Sequence, residues 1–119
     1  MIYKIAIASS DGKVVNQHFG RAGVFYIVNA DSGDMTFIYE ESRKTAPVCS
    51  GQEHDDAQLK ALAAMLRDCD YVLVSRIGYG ARAALERDHT EAFELPGYIE
   101  DSIRRLLSYV EVRNLLNET

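Results

Sequence analysis

The stretch Asn16-Gln17-His18-Phe19-Gly20-Arg21 sets an imidazole beside an aromatic ring, a backbone-permissive glycine and a cation. An imidazole ligates metals through one ring nitrogen or donates a hydrogen bond to an anion. The competing reading is an ordinary polar loop with a surface histidine. A second group of suitable chemistry lies at Cys49, whose thiolate is a soft ligand for iron–sulfur species, with His54 five residues later. A Cys and a His at this spacing can chelate one metal, but they form a weak site without partners from elsewhere. An incidental loop cysteine is the alternative.

Gly78-Tyr79-Gly80 follows an apolar run and opens a helix of good formers. That arrangement leaves backbone N–H groups free at a positive dipole end, which suits an anion. The rest of a dinucleotide fingerprint is missing, as is a phosphate-loop lysine and serine pattern. Tight strand–helix packing would call for the same glycines. Arg21, Arg43, Lys44, Arg76 and Arg82 fall in or beside these loops. They are expected to gather positive charge along one edge of an acidic protein, although each alone is also ordinary surface charge. Cys69 begins a buried run and is expected to be structural. Catalysis is poorly supported. No Gly-x-Ser-x-Gly elbow occurs, and strand one offers only Ile5-Ala6-Ile7-Ala8 where a two-metal nuclease would need a carboxylate.

Elements must hold these groups. Ile2–Ala8 reads as a central strand ending in the turn formers Ser9-Ser10-Asp11-Gly12, and its alternate alanines imply close packing on one face. Val14-Val15 is a short extended piece. Residues 24 to 41 form a hairpin through the turn 29–34. Glu40 to Glu53 is polar and interrupted by Pro47 and Gly51, and is expected to be an irregular loop. From His54 the period becomes helical, with Leu59, Leu62, Ala63 and Leu66 in one stripe, ending near Arg67-Asp68. Cys69–Ser75 has the apolar continuity of a parallel strand buried on both faces. A helix over Ala81–Arg87 and a final strand over Thr90–Glu94 follow. Ile99, Ile103, Leu106, Leu107 and Val110 then mark an amphipathic helix, with the tail 111–119 continuing it or fraying.

This order predicts a mixed sheet of about five strands, parallel in its second half, with helices on both faces. Ligands of such sheets bind beyond the carboxyl ends of the parallel strands, where strand order reverses. Ser9–Gly12, the His18 loop and Ile77–Gly80 are expected to meet there, with Thr45–His54 folding over the same edge.

The 119 residues fit one domain, 1–119, large enough to fold without disulfides or structural metal. A net charge of −5 argues against nucleic acid, whose phosphates demand Lys and Arg. The absence of a long apolar run or signal pattern makes a membrane location unexpected and the cytoplasm the expected one. Two cysteines are too few for a disulfide scaffold.

Val15-Asn16-Gln17-His18-Phe19-Gly20-Arg21-Ala22 follows an Ile-Ala-Ile-Ala-Ser strand. Cys49-Ser50-Gly51 comes next, then Asp68-Cys69-Asp70 leading into Val72-Leu73-Val74-Ser75-Arg76-Ile77-Gly78. In this order the segments resemble the nitrogenase iron–molybdenum cofactor-binding family, the NifX/NifB-type domain, from about Ile2 to Leu107. The resemblance implies a ribonuclease-H-like three-layer α/β fold without nuclease activity. It implies a non-enzymatic role in binding or carrying the iron–molybdenum cofactor, or its iron–sulfur precursor cluster, among nitrogenase assembly proteins. The family histidine's cofactor role falls on His18; Cys49 lies in a more variable loop. No radical-enzyme cysteine motif is present, so only the binding domain corresponds.

An anionic, soft metallocluster would favour thiolate and imidazole ligands, with guanidinium and backbone N–H groups around its outer sulfurs. The expected cofactor-binding set is therefore Ser9, His18, Phe19, Gly20, Arg21, Arg76, Gly78 and Gly80, with His18, Cys49 and His54 as metal ligands. The rival readings are a metal-free protein-interaction module and a small hydrolase or transferase using the Gly78–Gly80 turn for phosphate.

Overall fold

The computed structural model describes residues 1–45 and 56–117. β1 (Ile2–Ala8) is its central strand. It pairs antiparallel with β3 (Val24–Asp31), from Ile2 opposite Asp31 to Ala8 opposite Phe25. On its other side it pairs parallel with β5 (Tyr71–Val74), from Ile5 opposite Tyr71 to Ile7 opposite Leu73. β4 (Thr36–Lys44) closes one side of the sheet, and β6 (Glu91–Glu94), parallel to β5, closes the other. The strand order is β4-β3-β1-β5-β6.

Alternation along the strands distributes the core between two faces. Ala6, Ala8, Phe25, Ile27, Val72, Val74 and Ala92 pack with α1 (Asp56–Met65) and α2 (Tyr79–Arg87). Tyr3, Ile5, Ile7, Val28, Ala30 and Leu73 pack with α3 (Ile99–Asn117). The stripes expected of the helices, Leu59, Leu62, Ala63 and Leu66 on one side and Ile99, Ile103, Leu106, Leu107 and Val110 on the other, are all buried. The small Ala6 and Ala8, fully buried, leave the room that Phe19 and Phe25 fill on that face.

Four expectations need correction. Glu40–Lys44 belongs to β4 and not to an irregular loop. Pairing with β3 satisfies its backbone, and a charged sequence suits an exposed edge. Glu40 is the extra residue of a bulge, since Tyr39 faces Val28 and Glu41 faces Ile27. Thr90–Glu94 does not hold the last strand: β7 (Gly97–Tyr98) pairs antiparallel with β2 (Val14–Val15) in a second, two-stranded sheet. Gly97 has φ +128°, which explains why glycine rather than another residue starts β7. Helix α2 starts at Tyr79, so Gly80 lies inside its first turn.

The fourth correction concerns basic charge. Arg43 donates to Asp68 from both terminal nitrogens, at 2.7 and 2.8 Å, to Glu41 at 2.8 Å and to the Met65 carbonyl at 2.9 Å. Its charge is taken up by Asp68, which also pairs with Lys4 of β1. Arg82 donates to the Ala92 carbonyl at 2.8 Å, tying α2 to β6. Arg43 is thereby committed to Asp68 and Glu41, whereas Arg82 keeps its charge beside that one bond.

Helix α3 continues to Asn117. Arg113 holds its last turns by pairing with Glu91 at 2.8 and 3.0 Å and by lying 5.2 Å over the Tyr109 ring. Among the described residues no helix is long and apolar enough to cross a membrane.

Candidate functional site

Three loops gather at the carboxyl ends of β1 and β5: the ones that follow β1, β2 and β5. The first, Ser9–Lys13, closes on itself. Ser9 is fully buried, and its hydroxyl accepts the Gly12 N–H at 2.9 Å and the Asp11 N–H at 3.3 Å while donating to the Asp11 carboxylate at 3.2 Å. Asp11 in turn accepts the N–H groups of Lys13 at 2.9 Å and Val14 at 3.1 Å. Those two donors, Lys13 first, hold its carboxyl below the usual range. Gly12 sits at φ +75°, and a side chain there would meet the Tyr26 ring at 3.4 Å. These side chains build the turn.

The second loop returns to the sheet. The Asn16 N–H donates to the Ala8 carbonyl at 3.3 Å, the Ser75 N–H to Gln17 O at 3.0 Å, and the Phe19 N–H to Arg76 O at 2.9 Å. His18 and Arg76 form a parallel bridge. After β1 ends, residues 16–19 therefore take the place beside β5 that β1 has vacated, and the sheet continues through a different segment. The Asn16 side chain joins this loop to the first, accepting from Ser10 N at 3.0 Å and donating to Ser10 Oγ at 2.8 Å. Phe19 then turns inward, 1% exposed, with its ring 5.7 Å from that of Phe25. A 3-10 turn over Phe19–Arg21 follows, closed by the Arg21 N–H donating to His18 O at 3.1 Å. His18 is anchored through its backbone while its imidazole stays exposed.

The third loop runs from Ser75 into α2. The Ile77 N–H donates to a carboxylate oxygen of Glu94, the last residue of β6, at 2.9 Å. Gly78 caps α2 in extended conformation without a side-chain bond, and Tyr79 is 92% exposed. Among the described residues a Cβ at Gly78 would meet nothing within 4 Å, and one at Gly80 only Leu59 at 3.9 Å. Among the described residues, close strand–helix packing does not account for these glycines.

The structure brings His18 and Arg76 together as bridge partners, with Arg21 at the end of the 3-10 turn that follows His18, and all three are exposed. Among the described residues none of the three side chains has a hydrogen-bond or ion-pair partner. Ser9 and Phe19 lie beneath that edge as turn former and core ring, and Gly20 is buried in the 3-10 turn. Cys49 and His54 lie outside the described residues, as does most of the loop expected to fold over this edge. Among the described residues no three His, Cys, Asp or Glu side chains cluster as a metal site. A cavity of about 230 Å³ lies elsewhere, between Met35–Phe37 and Glu100 and Arg104 of α3. Cys69 is buried behind the sheet, and burial pushes its thiol up to about 12. Sequence reasoning placed Asn16 and Asp11 in these loops without the bonds they make there, and missed Glu94 as a residue that shapes the third. Only the Asn and Asp carried a signal, as turn formers.

Structurally, this is an open α/β domain whose loops converge where strand order reverses at β1. A family model described as dinitrogenase iron-molybdenum cofactor matches residues 1–109, and the chain belongs to that family. The FeMo cofactor biosynthesis protein NifB of Frankia alni is 35% identical over 105 residues, covering 86% of this chain and 20% of that protein. NifB of Chlorobaculum tepidum is 28% identical over 115 residues, covering 97% of this chain and 26% of that protein. The chain thus spans about a quarter or less of the relatives' length. The crystal structure of PH0822 superposes with a TM-score of 0.66 at 22% identity, covering 88% of each chain. The solution structure of a Thermotoga protein assigned to the DUF35 family gives 0.53 at 17% identity, covering 85% of this chain and 84% of that one. These two likenesses are of fold. The family and its relatives link the domain to iron–molybdenum cofactor biosynthesis in nitrogen fixation.

Proposed function

We propose that this chain is a non-enzymatic carrier for the iron–molybdenum cofactor or an iron–sulfur precursor cluster. In this reading it acts as one ribonuclease-H-like domain, 1–119, among nitrogenase assembly proteins in the cytoplasm. The observation that carries the reading is the His18–Arg76 bridge. It pairs the backbones of His18 and Arg76 in register, with both side chains exposed and unengaged among the described residues. His18 would ligate a metal of the cargo. Arg76 and Arg21 would pair with its anionic sulfurs or carboxylates, and the open surface at Gly78 and Gly80 would let it approach the backbone. Cys49 and His54 are the further ligands proposed, from the segment that follows β4 in sequence and lies outside the described residues. One imidazole and peripheral cations hold a cluster less tightly than a closed ligand cage would, which suits handing it on.

Anaerobic mixing with isolated iron–molybdenum cofactor tests this. Co-elution of the cofactor with the protein on a sizing column, with a changed EPR signal, is expected. His18→Ala is expected to lose at least about tenfold in affinity, the effect of about 1.4 kcal/mol, without loss of thermal stability. Absence of co-elution with the wild-type protein would sink the carrier reading. It would leave the metal-free interaction module, which predicts partner capture unchanged by His18→Ala.

A further inference from the structure

We infer that Glu94 is a built-in restraint on cargo affinity at this edge: it positions the Arg76 loop while setting an uncompensated negative charge beside the anion. This rests on the carrier reading above.

Glu94 ends β6, where Val74 is its register partner, and the next residue's N–H donates to Val74 O at 3.0 Å. Ser102 adds a further tie by donating to the Leu95 carbonyl at 2.7 Å. The side chain therefore starts from fixed backbone and reaches one neighbouring group, accepting the Ile77 N–H at 2.9 Å. Ile77 follows Arg76 and precedes the Gly78 cap of α2, so this bond adds a tie to the loop carrying Arg76, which the Ser75–Gln17 and Phe19–Arg76 backbone bonds hold from the other side.

The choice of a carboxylate is what needs explaining. An amide or hydroxyl oxygen would accept the same N–H without a charge. Among the described residues Glu94 pairs with no cation, although Arg76 is the neighbour of the residue it binds and Arg21 stands on the same edge. No direct ion pair with either guanidinium offsets it among the described residues. Its charge is left to act on whatever occupies the edge, and for an anionic cluster that action is repulsive. A carrier must release its cargo, and a fixed carboxylate beside a cationic edge weakens binding without removing a ligand.

Glu94→Gln keeps the acceptor and removes the charge, whereas Glu94→Ala removes both. With isolated iron–molybdenum cofactor as probe, Glu94→Gln is expected to bind about three- to tenfold tighter than wild type, the effect of removing one like charge near a multiply charged anion at partly screened distance. The advantage should shrink as salt is raised from about 0.05 to 0.5 M, a response that a purely structural bond would not produce. Glu94→Ala should bind more weakly than Glu94→Gln, because the Arg76 loop loses one of its ties. If wild type and Glu94→Gln bind equally, or differ by a ratio insensitive to salt, the restraint is overturned and the carrier reading stands. If neither binds, both ideas fall.

Discussion

Replacing Phe19 by alanine separates the two roles that the sequence allows this residue. The ring lies next to the exposed His18 and is a natural suspect for ligand contact, yet it is 1% exposed and packed on Phe25. Removing a fully buried phenyl group costs about 3–5 kcal/mol in transfer and cavity terms. At this chain length that corresponds to roughly a 10–20 °C fall in Tm. Phe19→Leu keeps most of the volume and should cost only about 1–1.5 kcal/mol. Urea unfolding followed by circular dichroism measures both, and cofactor co-elution measures the consequence at the edge. Phe19 starts the 3-10 turn that closes on His18, so the alanine variant should lose stability and binding together. The leucine variant should keep most of both. The reasoning is refuted if Phe19→Ala loses less than about 1 kcal/mol, or if Phe19→Leu is stable yet fails to bind. The second result would make the ring itself a ligand contact.

Two further predictions concern groups away from the edge. Arg43 beside Asp68 holds that carboxyl well below the usual range, chiefly through their hydrogen bonds. A carboxyl with a folded-state pKa below its unfolded value stabilises the fold above the unfolded pKa, about 3.9, and loses that contribution as pH falls toward the folded value. Asp68 is half exposed, so the loss should be about 1 kcal/mol. Urea midpoints at pH 5 and pH 2.5 should fall less for Asp68→Asn than for wild type; equal falls would refute the assignment. The Cys69 thiol, pushed up to about 12 by burial, stays protonated at pH 8. In a Cys49→Ser protein a thiol-reactive disulfide should label it only as the chain unfolds. Immediate labelling of the folded protein would show that Cys69 is not the buried structural residue described here.

The sheet and its helices were legible because burial leaves periodic traces. The stripe Leu59, Leu62, Ala63, Leu66 and the series Ile99 to Val110 name the faces their helices bury, and Tyr71–Val74 reads as the doubly covered strand it is. The end of β4 was not legible. Glu40–Lys44 has the composition of a loop and becomes strand only because β3 supplies partners and the edge tolerates charge. β7 escaped for a related reason: two residues carry no period, and Pro96-Gly97 signals a turn.

The candidate edge divides the same way. Residue types alone identify His18, Arg21 and Arg76 as the chemistry-bearing groups, since the imidazole and the guanidiniums keep their character in any fold. Which of the basic residues share a surface is a matter of distance in space. Arg43 and Arg82 looked equivalent to the others, but the fold hands one to Asp68 and the other to the Ala92 carbonyl. Likewise no local signal links His18 to Arg76 or Glu94 to Ile77 across 58 and 17 residues. Those meetings exist because the chain returns at Asn16 to continue the sheet where β1 stops. A return of that kind is decided by unpaired backbone groups at the end of β5, which only the assembled sheet presents.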